Sequence, residues 1–164
     1  MTSHLPYVLD ANVFIEAAKR YYAFDIVPPF WDKLIALAED GYILSIDRVK
    51  VELIRADLET WANENFHRYF ASTSEQDVID AYRNVITWSQ AQSQYTDGAK
   101  AEFAGVADGW LIAYALSKCC TVVTHEQPSP NSKRKIKIPD ACRAHEIPYI
   151  DTFQMLRMLG IKLG

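Results

Sequence analysis

The sequence lacks any apolar run long enough to cross a bilayer. Its most apolar stretch, "WLIAYAL" from Trp110 to Leu116, is soon followed by Lys118. That is far short of the roughly 20 residues a spanning helix needs. Cysteine is scarce: Cys119, Cys120 and Cys142 are odd in number, include an adjacent pair and lack zinc-ligand spacing, so neither a disulfide framework nor a structural zinc is expected. Excess positive charge is also missing. Lys and Arg number 17 against 21 Asp and Glu, for a net charge of −4, which excludes a basic coat and leaves nucleic-acid contact to a local patch or to bound cations. The opening residues show neither a basic segment nor a long apolar one, so no secretory leader is expected and a reducing cytoplasm is the simpler home.

What is present reads as one compact domain over residues 1–164. Hydrophobic residues make up 49% and charged residues 23%, the balance of a globular chain with a sizeable core. Tyr7 to Leu9 reads as a strand leading into a helix with Val13, Phe14, Ala17 and Ala18 on one side. "VPPF" is expected to break the chain before a helix from Trp31 to Glu39. Tyr42 to Ile46 is a second strand, after which Asp47 would cap a helix carrying Val49, Leu53, Ile54 and Ala56, with Val51 or Glu52 also inward. Residues 75–94 give the longest helical pattern, through Val78, Tyr82, Val85 and Ile86. Gly98 and Gly105 would loosen the next stretch, before Asp108 opens an almost wholly apolar helix at 110–117. Thr121 to Thr124 is a strand, and "KIPDACRAHEIPYI" reads as a short helix and a strand ending near Ile150. A final helix runs from about Thr152 to Leu159. Strands interleaved with helices at these intervals indicate a parallel sheet covered on both faces.

Four acids adjoin apolar segments on one presumed edge of that sheet. Asp10 ends the first strand, Glu52 follows the second, Asp108 begins the buried helix and Glu126 lies just past "TVVT". Singly, Asp10 and Asp108 read as helix caps, Glu52 as a solvated helix residue and Glu126 as a loop acid. Together they repel one another and are costly to desolvate unless cations share the site. Hard oxygen donors suit Mg²⁺ or Mn²⁺. Such a site favours phosphoryl chemistry, and the metal supplies the positive charge that an acidic protein lacks toward a polyanion. Asn12, Ser45 and Thr124 sit where polar side chains could orient the acids.

With these motifs in this order, the sequence resembles the PIN-domain family, and more narrowly the small PIN-like nucleases that include VapC-type toxins. "YVLDANVFIEA" looks like the family's opening strand and acid, "SIDRVKVELIR" like its second motif with Glu52, "ADGWLIAYAL" like its third with Asp108, and "TVVTHE" like its fourth. The resemblance covers most of the chain. It implies a three-layer α/β/α fold with a central parallel sheet. It further implies a metal-dependent endoribonuclease, the toxin of a toxin–antitoxin pair, with Asp10, Glu52, Asp108 and Glu126 as ligands of Mg²⁺ or Mn²⁺. RNA would be the substrate, and a cognate antitoxin and a homodimer the partners. The fourth motif departs from the family's common Thr-x-Asp by carrying the longer Glu126. Asp140 could replace or assist it, and Glu102 is a further outer acid.

Lys133, Arg134, Lys135 and Lys137 read either as a solvated loop or as an RNA-binding rim. The histidines are scattered at His4, His67, His125 and His145; His125, beside Glu126, is a metal ligand, a proton carrier or neither. The cysteines read as packing. Trp61, Phe66, Tyr69 and Phe70 are expected to offer an aromatic partner surface. A haloacid-dehalogenase-type phosphotransferase would need a second acid at position 12, which is Asn12. A receiver-like module would need a lysine after a late strand, where Asp151 stands instead. A degenerate PIN-like domain that binds RNA or a partner without cutting is the remaining alternative.

Overall fold

The computed structural model describes residues 5–163; His4 lies outside the described residues. Five strands, β1 (Tyr7–Leu9), β2 (Ile43–Ile46), β3 (Phe70–Ala71), β4 (Thr121–Val123) and β5 (Tyr149–Ile150), form one sheet in the order β3-β2-β1-β4-β5. Every pairing is parallel. The central strand β1 and its neighbour β4 are buried along their length apart from Thr121, as a sheet covered on both faces requires. From β1 the chain builds outward to β2 and β3 on one side and later to β4 and β5 on the other. The switch point therefore lies between β1 and β4, where open α/β sheets form a crevice beyond the strands' carboxyl ends.

The helices are α1 (Ala11–Glu16), continued by a π-helical turn at Ala17–Tyr21, then α2 (Pro28–Glu39), α3 (Asp47–Lys50) and α4 (Ala56–Trp61). They are followed by α5 (Gln76–Ala91), α6 (Asp97–Gly105), α7 (Ala107–Lys118), α8 (Ile138–Ala144) and α9 (Thr152–Met158). Among the described residues no helix is long and apolar enough to cross a membrane. The Pro28-Pro29 pair opens α2 rather than breaking the chain ahead of it, because proline at the first helical positions gives up N–H groups that would be unpaired anyway. Gly98 and Gly105 lie inside α6, whose start is fixed by the Thr96 hydroxyl accepting from the Ala99 N–H at 3.1 Å.

The long helix expected after Asp47 is only one turn. Val51 and Ile54 are 73% and 81% exposed instead of inward, and Glu52 lies in the turn after α3. Asp47 caps nothing. Its carboxylate accepts from the Thr73 hydroxyl at 2.8 Å and the Thr73 N–H at 3.2 Å, which ties α3 to the segment after β3. The aromatic partner surface is also overturned. Trp61 and Phe66 are buried and, with Phe14 and Phe70, make a ring cluster within the core, while Tyr69 and Phe70 are half-buried.

Helix α7 carries the third acid, and its seat is tightly specified. Arg48 of α3 lies over the Trp110 ring at 4.5 Å, and Trp110 stacks on Tyr82 of α5 at 3.7 Å. A Cβ on Gly109 would stand 3.1 Å from the Phe103 carbonyl oxygen and 3.3 Å from Tyr82. Glycine is therefore what lets α7 approach α5 and α6 this closely.

Candidate active site

Asp10 and Thr124 follow directly on the paired strands β1 and β4, whose last paired residues are Leu9 and Val123. Parallel pairing thus sets their side chains next to one another at the switch point. The Thr124 hydroxyl donates to Asp10 Oδ2 at 2.9 Å and accepts from the Glu126 N–H at 3.1 Å, so it joins the first acid to the fourth. Asp10 occupies the N-cap position of α1, but its buried side chain makes no capping hydrogen bond.

The other acids arrive through helix ends. Glu52 Oε2 accepts from the N–H of Ala107, the first residue of α7, at 2.9 Å, and so anchors the helix whose next residue is Asp108. Glu126 Oε1 accepts from the N–H of Ile138, the first residue of α8, at 3.1 Å. Both acids are used as caps, but of helices distant in sequence. Asp10, Asn12, Glu52, Glu102, Asp108 and Glu126 line one open cleft of about 380 Å³, and Lys135 lines it with them.

Burial, then the charges of Asp108 and Glu126, hold the Asp10 carboxyl well above the usual range, against the opposing Thr124 bond. Asp108 is pushed up to about 7, first by burial and then by Glu126, with Lys135 pulling the other way and Glu52 and Glu102 adding to the rise. Below the cleft, burial and the charges of Asp10 and Glu126 raise the Cys142 thiol to about 12; it stays protonated and serves as packing. The acids therefore meet closely enough to disfavour one another's ionisation, which calls for a proton or a cation.

A hard divalent cation fits this set by donor chemistry: several carboxylates, one with an oriented oxygen, around an open space. The arrangement is not a closed cage. Among the described residues no three His, Cys, Asp or Glu side chains come together closely enough to hold a metal ion. Glu52 and Glu126 each commit one carboxylate oxygen to a backbone N–H and keep the other.

Two sequence expectations, those for Ser45 and Asp140, are corrected. Ser45 is within β2, and its hydroxyl donates to the Leu9 carbonyl at 2.6 Å, bracing the sheet without reaching the cleft. Asp140 accepts from the Ser129 N–H at 2.8 Å and holds the loop before α8 instead of lining the cleft. Of the basic cluster, Lys135 alone lines the cleft; Lys133, Arg134 and Lys137 do not. Ile136 and Ile138 are buried on either side of Lys137, so the alternation in "KRKIKI" was the available signal that this loop is anchored. His125 bonds Thr152 at 2.8 Å and lies against Tyr21 and Phe153. Burial holds its imidazole below the ordinary value.

Residues 7–163 match a family described as a domain of unknown function, DUF4411. Among curated proteins nothing matches. Two solved structures share the fold. One is VapBC2 from Rickettsia felis bound to a DNA fragment from its promoter, at 14% identity and a TM-score of 0.58, covering 90% of this chain and 98% of that one. The other is FitAcB from Neisseria gonorrhoeae, at 16% identity and a TM-score of 0.50, covering 88% and 96% respectively. The fold is the PIN-like three-layer α/β/α arrangement around a parallel sheet that the resemblance implied, and these two structures share it.

Proposed function

We propose, from the premise that the chain belongs to the family described as a domain of unknown function (DUF4411), that it is a divalent-metal-dependent endoribonuclease and the toxin of a toxin–antitoxin pair. The observation that carries this reading is the electrostatic coupling of Asp10, Asp108 and Glu126 in an open cleft at the switch point of a parallel sheet. Carboxylates so placed are unfavourable without a cation, and a phosphodiester brings charge that the same cation would offset.

In this reading Asp10 and Asp108 are the principal ligands of Mg²⁺ or Mn²⁺, with Glu52 and Glu126 completing the set. The metal, when bound, supplies Lewis acidity and activates water. Thr124 fixes the Asp10 carboxylate, and Asn12 orients the neighbouring oxygen donors. Lys135, which lines the same cleft as Asp108, draws the RNA phosphate in. Lys133, Arg134 and Lys137 extend that attraction along the loop outside it. The likeness to VapBC2 and FitAcB supports a cognate antitoxin as partner, alone or on a homodimer.

A second reading has its own observation. Because Glu52 and Glu126 are engaged as helix caps and no ready-made metal cage exists among the described residues, the domain would bind RNA or a partner without cutting. Incubation of an unstructured RNA with the protein in Mg²⁺ or Mn²⁺, with and without EDTA, separates them. Cleavage abolished by EDTA and by Asp10→Asn supports the nuclease. Binding without cleavage in either metal supports the second reading.

A further inference from the structure

Beside the acidic cleft is a second hollow of about 320 Å³, lined by Asn12, Glu16, Arg20, Tyr21, His125 and Glu126. It shares Asn12 and Glu126 with the cleft, so a chain crossing the acids runs into it. Its size is near the lower limit of roughly 300 Å³ for small-molecule sites. We infer that this hollow receives the unpaired nucleobase next to the phosphodiester held at the acids, with Tyr21 as its stacking platform. This deepens the nuclease reading and rests on it for the position of the phosphodiester.

The backbone builds the platform. Tyr22 donates its N–H to the Ala17 carbonyl at 2.8 Å, the wide π-helical closure, a local geometry common at functional sites. The turn sends two successive tyrosines to different places. Tyr22 stacks on Phe30 at 4.2 Å, and its carbonyl accepts from the Trp31 indole at 2.7 Å, which fixes the end of the turn. Tyr21 is left 48% exposed at the hollow. Its ring meets the Phe153 ring edge-to-face at 5.4 Å and the His125 ring at a tilt of 32° and 5.8 Å, and His125 is itself held by Thr152. A braced, half-exposed ring takes a base with little ordering cost.

Charge decides which part of the nucleotide enters. Glu16 and Glu126 repel a phosphate from the hollow and accept hydrogen bonds from a base. Arg20 is paired to Glu16 at 3.3 Å on the surface, a weak link that a phosphate can displace. The base therefore sits on Tyr21 and the following phosphate meets Arg20. A paired base cannot enter, so single-stranded RNA is selected over duplex.

The test uses the full chain carrying Asp108→Asn, so that RNA is bound and not consumed. A short unstructured RNA with 2-aminopurine at successive positions is titrated in Mg²⁺ buffer against Asp108→Asn alone and against the same protein with Tyr21→Ala or Tyr21→Phe. The expected result is quenching at one position, lost in Tyr21→Ala with about a tenfold drop in affinity and retained in Tyr21→Phe; duplex of the same sequence competes poorly. Equal affinity and quenching in Tyr21→Ala overturn the proposal. If the wild type cleaves no RNA yet Tyr21→Ala still loses the quench, the base site stands and the nuclease reading falls. EDTA-sensitive cleavage with the quench unchanged in Tyr21→Ala gives the reverse.

Discussion

Replacing Asp108 with Asn should stabilise the metal-free protein, and only above acid pH. In the unfolded chain this carboxyl loses its proton near 3.8, whereas burial and the neighbouring charge of Glu126 hold it until about 7 in the fold. Between those values the folded state binds more protons than the unfolded one, so stability falls as pH rises and is lowest above 7. At about 1.4 kcal/mol per pKa unit the ceiling is about 4 kcal/mol. Asp108 lines an open cleft and keeps some water, which reduces the expectation to ~2 kcal/mol, or a rise in melting temperature of roughly 4–8 °C for a chain of this size. Removing the charge also relieves Asp10, an effect of the same sign. Denaturant unfolding of both proteins in EDTA, from pH 4 to pH 8.5, measures this. The curves should meet near pH 4 and separate to a plateau above pH 7. A constant gap at every pH, or none at pH 8.5, would refute the crowding argument.

Thr124→Val, which loses the hydroxyl bonded to Asp10, should lower cleavage by roughly 10- to 100-fold, with Thr124→Ser recovering most of it in the same assay. Gly109→Ala places a methyl 3.1 Å from the Phe103 carbonyl, and overpacking should outweigh the gain in helix propensity by about 1 kcal/mol in denaturant unfolding. Lys135→Ala should weaken RNA binding more than Lys133→Ala or Arg134→Ala, because Lys135 alone lines the cleft, and should flatten the salt dependence by roughly 0.7 for the lost phosphate contact; equal slopes for all three would reduce the loop to a connection. Sedimentation should find a homodimer or a complex with the product of the neighbouring gene, and a monomer at high micromolar concentration that binds no such product would count against both.

The sheet was legible because parallel strands buried on both faces are written as short continuous apolar runs, and "YVL", "ILSI" and "TVV" need no tertiary knowledge to be seen. The strand β3 was not legible, since two residues pair only where β2 already stands. Periodicity after Asp47 misled: Val51 and Ile54 fit a helical pattern, but the chain turns out at Glu52 so that its carboxylate can reach Ala107. Asp10 and Thr124 were readable as strand-end residues. Ser45 was not separable from them, because it lies one residue before the end of β2, where its hydroxyl meets the Leu9 carbonyl instead of the cleft. The capping roles of Glu52 and Glu126 were illegible for the same reason as the burial of Trp61: the partners lie on other elements. Lys135 showed only as part of a basic run, and its distinction comes from the buried isoleucine that follows it.

The most direct test of the acidic cleft is calorimetric titration of the wild type with Mn²⁺ at several pH values, in buffers of different ionisation enthalpy, beside Asp10→Asn and Asp108→Asn. Binding to the wild type should release protons at pH 6.5, when Asp108 is still largely protonated, and release far fewer at pH 8.5; both variants should bind much more weakly while remaining folded. Absence of Mn²⁺ binding to the folded wild type, or binding by both variants as tight as that of the wild type, would contradict the assignment of these carboxylates as a metal site.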